Sequence, residues 1–109
     1  MSQPTDLTHV MNYIGTRYSF TPENYPSLEG VTSDQKKAFA VGHSVHHMYK
    51  SVGRLAAERE RYDNGGMMNE ATLKEGAVRM FINAIKLIEE LGLTAQDLAD
   101  SIPEYIVSK

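Results

Sequence analysis

Residues 34–62 read DQKKAFAVGHSVHHMYKSVGRLAAERERY. Within them Ala38, Val41, Val45, Met48, Val52 and Leu55 recur every three or four residues, the spacing that lines one face of an α-helix. Just upstream, Thr32 with Gln35 three residues on has the form of a capping box, in which each side chain satisfies a backbone N–H of the first turn. Downstream, Asp63-Asn64-Gly65-Gly66 favours a turn and positive φ. The stretch is therefore one long helix. Its interior glycines, Gly42 and Gly53, each lower helix propensity by about 1 kcal/mol relative to alanine, and close packing against a neighbour is the expected compensation.

Working outward, Thr72-Leu73-Lys74-Glu75 is a second capping box and predicts the start of the next helix. Leu73, Ala77, Met80, Phe81, Ala84, Ile88 and Leu91 then draw one apolar stripe, and Val78, Ile82 and Ile85 a second one beside it. This helix is expected to be buried on two sides, one of them a candidate subunit interface. Gly92 closes it, Thr94-Ala95-Gln96-Asp97 opens a short helix, and Pro103 is expected to interrupt before Tyr105-Ile106-Val107. On the N-terminal side, Leu7, Val10, Met11 and Ile14 predict a short helix from about Asp6, capped by Thr5 or Asp6 and ended by Gly15. An aromatic loop with two prolines follows from Thr16 to Pro26, with one helical turn expected at Thr21-Pro22-Glu23.

The expected architecture is all-α: a long antiparallel helical hairpin with short flanking helices, forming a single domain over residues 1–109. Residues 1–31 supply the N-terminal helix and aromatic loop, 32–92 the hairpin, and 93–109 the short C-terminal helix and tail. A domain of this size buries only about 60–70% of the surface its unfolded chain exposes, so a homo-oligomeric helical bundle is the expected state.

Composition narrows the function classes. With 41% hydrophobic and 23% charged residues the chain has the profile of a folded domain rather than a disordered tail. The absence of cysteine removes disulfide frameworks and thiolate metal sites, and a reducing cytoplasm is the expected setting. The first residues lack the basic and apolar regions of a signal peptide, and no apolar run approaches the roughly 18 residues of a membrane span. A net charge of −3 argues against general nucleic-acid binding.

Against that acidic background, Lys36, His43, His47, Lys50, Arg54 and Arg61 fall within about 60° of one another on the long helix, at roughly 100° per residue. They form a basic ridge expected to lie opposite the apolar face, where any surface helix places charge. Its functional reading is phosphate binding, with Arg54 offering a planar fork and Lys50 a point charge. Arg17 with Tyr18, Phe20 and Tyr25 can stack on a nucleobase or cover the end of the core. The expected ligand-binding residues are His43, His47, Lys50, Arg54, Arg17 and Tyr18. His43 and His47 are also an i, i+4 pair able to share a metal, for which His9, Asp63 or Glu75 would have to supply a third ligand. Glu60-Arg61-Tyr62-Asp63 has the ExxD form that can hold magnesium through carboxylates. No metal or other cofactor is expected outside a catalytic reading.

The stretch from Ala84 to Leu98, AIKLIEELGLTAQDL, resembles the C-terminal part of the all-α nucleoside triphosphate pyrophosphatases of the MazG-like type. The resemblance extends over the chain from Ala38 onward and implies two antiparallel helices, a Leu-Gly break and a short helix. Family members hold magnesium with ExxE and ExxD motifs and hydrolyse between the α and β phosphates. Here His43-Ser44-Val45-His46-His47 falls where ExxE belongs, and Gly76 and Arg79 where ExxD belongs, with Glu75 the remaining carboxylate nearby. The resemblance thus implies a degenerate member in which cations meet phosphate directly. The leading expectation is a non-catalytic binder that sequesters or senses a nucleotide or other small phosphorylated ligand. One alternative is a magnesium-dependent pyrophosphohydrolase that recruits Glu58, Glu60, Asp63 and Glu75. The other is a protein-interaction adaptor docking through the Val78–Ile82 stripe.

Overall fold

The structure, a computed structural model, describes residues 6–107. It is all-helical: α1 (Leu7–Tyr18), a 3₁₀ turn (Pro26–Leu28), α2 (Ser33–Asp63), α3 (Glu70–Glu90) and α4 (Ala95–Val107). Among the described residues there is no strand, and no helix is long and apolar enough to cross a membrane.

The helix boundaries follow from local chemistry. Asp6 caps α1 by accepting from the His9 backbone N–H at 2.9 Å; Thr5, the other expected cap, lies outside the described residues. The Thr32–Gln35 box is present in both directions, at 2.9 and 3.1 Å. Gly65, at φ +92°, turns the chain between α2 and α3, and Gly92, at φ +79°, turns it between α3 and α4. A reciprocal Thr94–Asp97 pair opens α4, each backbone N–H bonding the other residue's side chain.

Several expectations need correction. Gly15 does not end α1, which continues to Tyr18; the missing Cβ leaves room for the Glu89 carboxylate, which would overlap any side chain there. The expected turn at Thr21 is present, closed by the Tyr25 N–H donating to the Thr21 carbonyl at 2.8 Å, and the loop adds an unexpected 3₁₀ turn at Pro26–Leu28. Asn69, not Thr72, caps α3: its side chain accepts from the Thr72 N–H at 3.0 Å, while its own N–H donates to Glu58 at 2.6 Å. Pro103 lies inside α4 on an exposed side rather than ending it.

The long helices α2 and α3 pack closely. Their contacts step from Glu58 against Asn69, through Ser51 and Leu55 against Gly76, to His43 beside Lys86. The face of α2 that does this is not the expected one. Its buried residues are Ala40, Ser44, Ser51 and Glu58, whereas Val41, Val45 and Val52 are exposed. Small side chains let the two backbones approach, and Gly76 completes the fit, since a Cβ there would stand 3.0 Å from Leu55 Cδ2. Gly42 and Gly53, expected to mark the close approach, have no neighbour within 4 Å of an ideal Cβ.

Two apolar clusters flank this pair. Met11 and Ile14 of α1 meet Ile85 of α3, with Ile82, Ile88 and Leu98 packed around them. Phe20 and Leu28 of the aromatic loop meet Ala40, with Tyr25, Val31 and Phe39 around them. The second stripe of α3 is thus largely covered from within the chain: Ile85 and Ile82 lie against α1, and of the three only Val78 is exposed. That removes most of the surface expected to dock a partner.

Ser44 offers a direct check on this packing. It is fully buried, and among the described residues its hydroxyl has no hydrogen-bond partner. Ser44→Ala is expected to raise the urea midpoint, equivalent to roughly 0.5–1.5 kcal/mol, by removing an unsatisfied polar atom and improving helix propensity. A loss of stability would show that the hydroxyl is bonded in solution.

Candidate functional site

Lys86 is the residue around which the site is built. It sits on α3 one turn beyond Ile82, in a helix that is apolar on several sides, and only 8% of its surface is exposed. Its Nζ donates to the Tyr25 hydroxyl at 2.9 Å and lies over three rings, 5.2 Å from the centroid of Tyr18, 5.4 Å from Phe20 and 5.6 Å from Tyr25. The negative faces of aromatic rings are worth about 0.5–2 kcal/mol each to a cation, more as water is excluded. Among the described residues no carboxylate pairs with this ammonium, and one of its three N–H donors is committed to Tyr25.

The aromatic loop and α2 close around it. Phe20 stacks on Tyr25 at 5.3 Å, and His43 stacks on Phe39 at 5.5 Å while meeting Tyr25 edge-on at 4.9 Å. His47, one turn on, is 4.4 Å from His43 between ring centroids, and His46 is 5.6 Å from His47. A cavity of about 270 Å³ opens here, lined by Tyr18, Tyr25, His43, His47, Arg79, Ile82, Asn83 and Lys86. Tyr18 stands at its mouth, 42% exposed. Arg79 is held by Glu75 at 2.9 Å, and the Asn83 side chain donates to the Arg79 carbonyl at 2.9 Å.

The electrostatics are those of a site short of negative charge. Burial, then the charges of Lys86, His47 and His46, lower the His43 pKa to about 4. His47 is lowered as well, by burial first and then by Lys50, Lys86 and His46. Both imidazoles are therefore neutral at pH 7, and an arriving anion opposes the part of the shift that comes from the neighbouring cations. A stability prediction follows. A histidine whose folded pKa lies below its unfolded value of 6.5 binds fewer protons when folded, so stability is full above pH 6.5 and falls as the pH drops towards 4. Glu89, raised by burial, acts in the opposite sense. The urea midpoint is expected to fall from pH 7 to pH 5, and the fall is expected to be smaller in His43→Gln. An unchanged slope in that variant would contradict the assignment.

Of the expected ligand-binding residues, the structure brings together His43, His47 and Tyr18. Lys50 reaches the site only through its field on His47, and Arg54 is exposed and does not line the cavity. Arg17 lies over the Tyr13 ring at 5.6 Å. The ridge is further divided by ion pairs, Lys36 to Glu90 at 3.5 Å and Arg61 to Glu58 at 3.2 Å. Of the four carboxylates considered for magnesium, three are likewise engaged, Glu58 with Asn69 and Arg61, Asp63 with Arg59, and Glu75 with Arg79, while Glu60 is exposed. Among the described residues no group of three or more His, Asp or Glu is placed to hold a metal, so His43, His47 and Glu75 do not converge into one site.

Lys86, Arg79 and Asn83 were not picked out as ligand-binding residues. One signal was in the sequence: Arg79, Ile82, Asn83 and Lys86 share one side of a helix otherwise lined with Ile, Leu and Met, and a lysine in such a setting needs a reason. Comparisons with protein-family models, with curated proteins and with solved structures each find no match.

Proposed function

We propose that this chain binds a nucleotide or another small phosphorylated ligand without turning it over, sequestering or sensing it, and that it does so as a homo-oligomer. The observation that carries the reading is Lys86: a lysine 8% exposed, whose ammonium meets three aromatic rings and a tyrosine hydroxyl rather than a carboxylate, at the wall of a cavity. A buried cation without a counter-ion is costly, and an anion entering the cavity offsets that cost with charge-assisted hydrogen bonds.

In this reading the phosphate sits against Lys86, His43 and His47, with Arg79 at the rim, and a base or sugar extends over Tyr18. The cavity, near the lower end of the roughly 300–1,000 Å³ typical of ligand pockets, suits a phosphate with part of its substituent. His43 and His47 take up protons as the anion binds, so affinity is expected to rise as the pH falls below 6.5 towards 4. The scaffold is read as an antiparallel hairpin of the MazG-like type whose metal-holding acids are replaced by cations. The order of two long helices, a Leu91-Gly92 break and a short helix supports it.

A thermal-shift screen against inorganic phosphate, mononucleotides and cyclic nucleotides, all with EDTA present, tests the proposal. A ligand at 100 times its Kd adds about 2.7 kcal/mol, a shift of roughly 10 °C or more for a domain this small. The expected result is a shift without metal; no shift with any phosphorylated compound would contradict the reading.

A further inference from the structure

Glu89 lies outside the Lys86 cavity and, among the described residues, forms no ion pair. Its carboxylate turns towards α1 and occupies the space that a Cβ of Gly15 would fill. A glycine inside a helix is destabilising relative to alanine, so α1 takes on that cost where the carboxylate meets it. Yet Oε1 is buried and, among the described residues, has no hydrogen-bond partner, in a protein interior where nearly every buried polar atom has one. Burial also holds the carboxyl above the usual carboxylate range. Lys36 and Lys86 share a cavity of about 140 Å³ with it, but Lys36 pairs with Glu90 at 3.5 Å and Lys86 bonds Tyr25. The carboxylate is thus held in a prepared place without a counter-charge.

A separate cavity of about 460 Å³ opens on the same residue, between α1 and the turn from α3 to α4. Met11 and Leu93 give it apolar walls, Thr8, Asn12 and Gln96 supply neutral polar groups, and Glu89 is the single charge among the described residues that line it. The start of α4 at its edge is no anion site, because the reciprocal Thr94–Asp97 pair already sets a carboxylate against the positive end of that helix. Among the described residues no group of three or more His, Asp or Glu is placed to hold a metal, so an inorganic cation lacks ligands here. We infer that this cavity is a second binding site and that it takes a small primary amine, with the ammonium on the Glu89 carboxylate and a short apolar body against Met11 and Leu93. An ammonium brings three donors: one satisfies the unpaired carboxylate oxygen through a charge-assisted hydrogen bond, and the oxygens of Asn12 and Thr8 are there for the others. The volume lies within the range of small-molecule pockets.

NMR titration of the full chain with butylammonium tests the site, beside 1-butanol and butyrate as neutral and anionic molecules of like size. Butylammonium is expected to give saturable shifts at the Asn12, Gly15, Gly92 and Gln96 amides with a roughly millimolar Kd, at least about tenfold below that of 1-butanol, and butyrate none. Glu89→Gln keeps the shape of the side chain and is expected to bring butylammonium down to the affinity of 1-butanol. Asn12→Asp adds a second carboxylate at the exposed rim and is expected to tighten butylammonium roughly threefold, a gain that misfolding cannot produce. Equal affinity for butylammonium and 1-butanol, butylammonium binding unchanged in Glu89→Gln, or no shift at these amides below about 100 mM amine would each overturn the site. Because butylammonium carries no phosphate, these results leave the reading of the Lys86 cavity untouched, and a failure of phosphate binding leaves the amine site in place.

Discussion

Lys86→Met is expected to weaken binding of a phosphorylated ligand at least about 100-fold, while leaving the protein as stable as the wild type or more so. Each charge-assisted hydrogen bond is worth about 1.5–3 kcal/mol, and losing two of them corresponds to a factor of about 100 or more. The fold is expected to survive because methionine keeps most of the aliphatic stem among Tyr18, Phe20 and Tyr25. The variant loses cation–π attraction and the bond to Tyr25, and it also sheds the desolvation cost of holding an ammonium there. Calorimetric titration paired with a urea melt separates the two effects. Equal affinity in the variant would place the phosphate elsewhere, and a large loss of stability would make the lysine a structural residue. Lys50→Ala with Arg54→Ala is expected to change affinity only a few-fold and chiefly at low salt, since neither side chain lines the cavity.

The largest effect on folding is expected from Ile85→Ala. Ile85 is 2% exposed and joins Met11 and Ile14 of α1 to α3, so truncation leaves a cavity that two helices would have to close together. Buried isoleucine-to-alanine changes cost about 2–5 kcal/mol. Against a total of about 5–15 kcal/mol for an ordinary domain, that is a large fraction, and the melting temperature is expected to fall by roughly 10 °C or more. Because α1 ends at Tyr18 and leads into the aromatic loop, loosening it is also expected to weaken ligand binding. Val78→Ala, on an exposed position of the same helix, is expected to change stability by no more than about 0.5 kcal/mol. Comparable losses in the two variants would mean that the α1–α3 cluster does not hold the fold together.

Helix existence was legible in the sequence because caps and turns are local chemistry. The Thr32–Gln35 box, the Gly65 turn and the Gly92 turn stand where the residues put them. What the sequence hid is decided by packing between segments. Hydropathy selected the valine seam of α2, yet the line that meets α3 is Ala40, Ser44, Ser51 and Glu58, where small size matters more than hydrophobicity. Glu58 reads in the sequence as a candidate magnesium ligand, but 11 residues on it finds the Asn69 N–H, and that bond also decides which of two competing caps starts α3. The candidate site divides in the same way. His43, His47 and Tyr18 were visible as a histidine pair and an aromatic loop, whereas Lys86 reads as one more charge until the loop folds over it.

The central claim is that the phosphate-binding group is the buried Lys86 cavity rather than the outer ridge of α2. Backbone and imidazole NMR shifts recorded while a mononucleotide is titrated in EDTA test it most directly. The account predicts saturable shifts concentrated at Tyr18, Tyr25, Asn83 and Lys86, with the His43 and His47 imidazole signals moving towards their protonated positions. Shifts confined to Lys50 and Arg54, or none at nucleotide concentrations well above a millimolar, would contradict it.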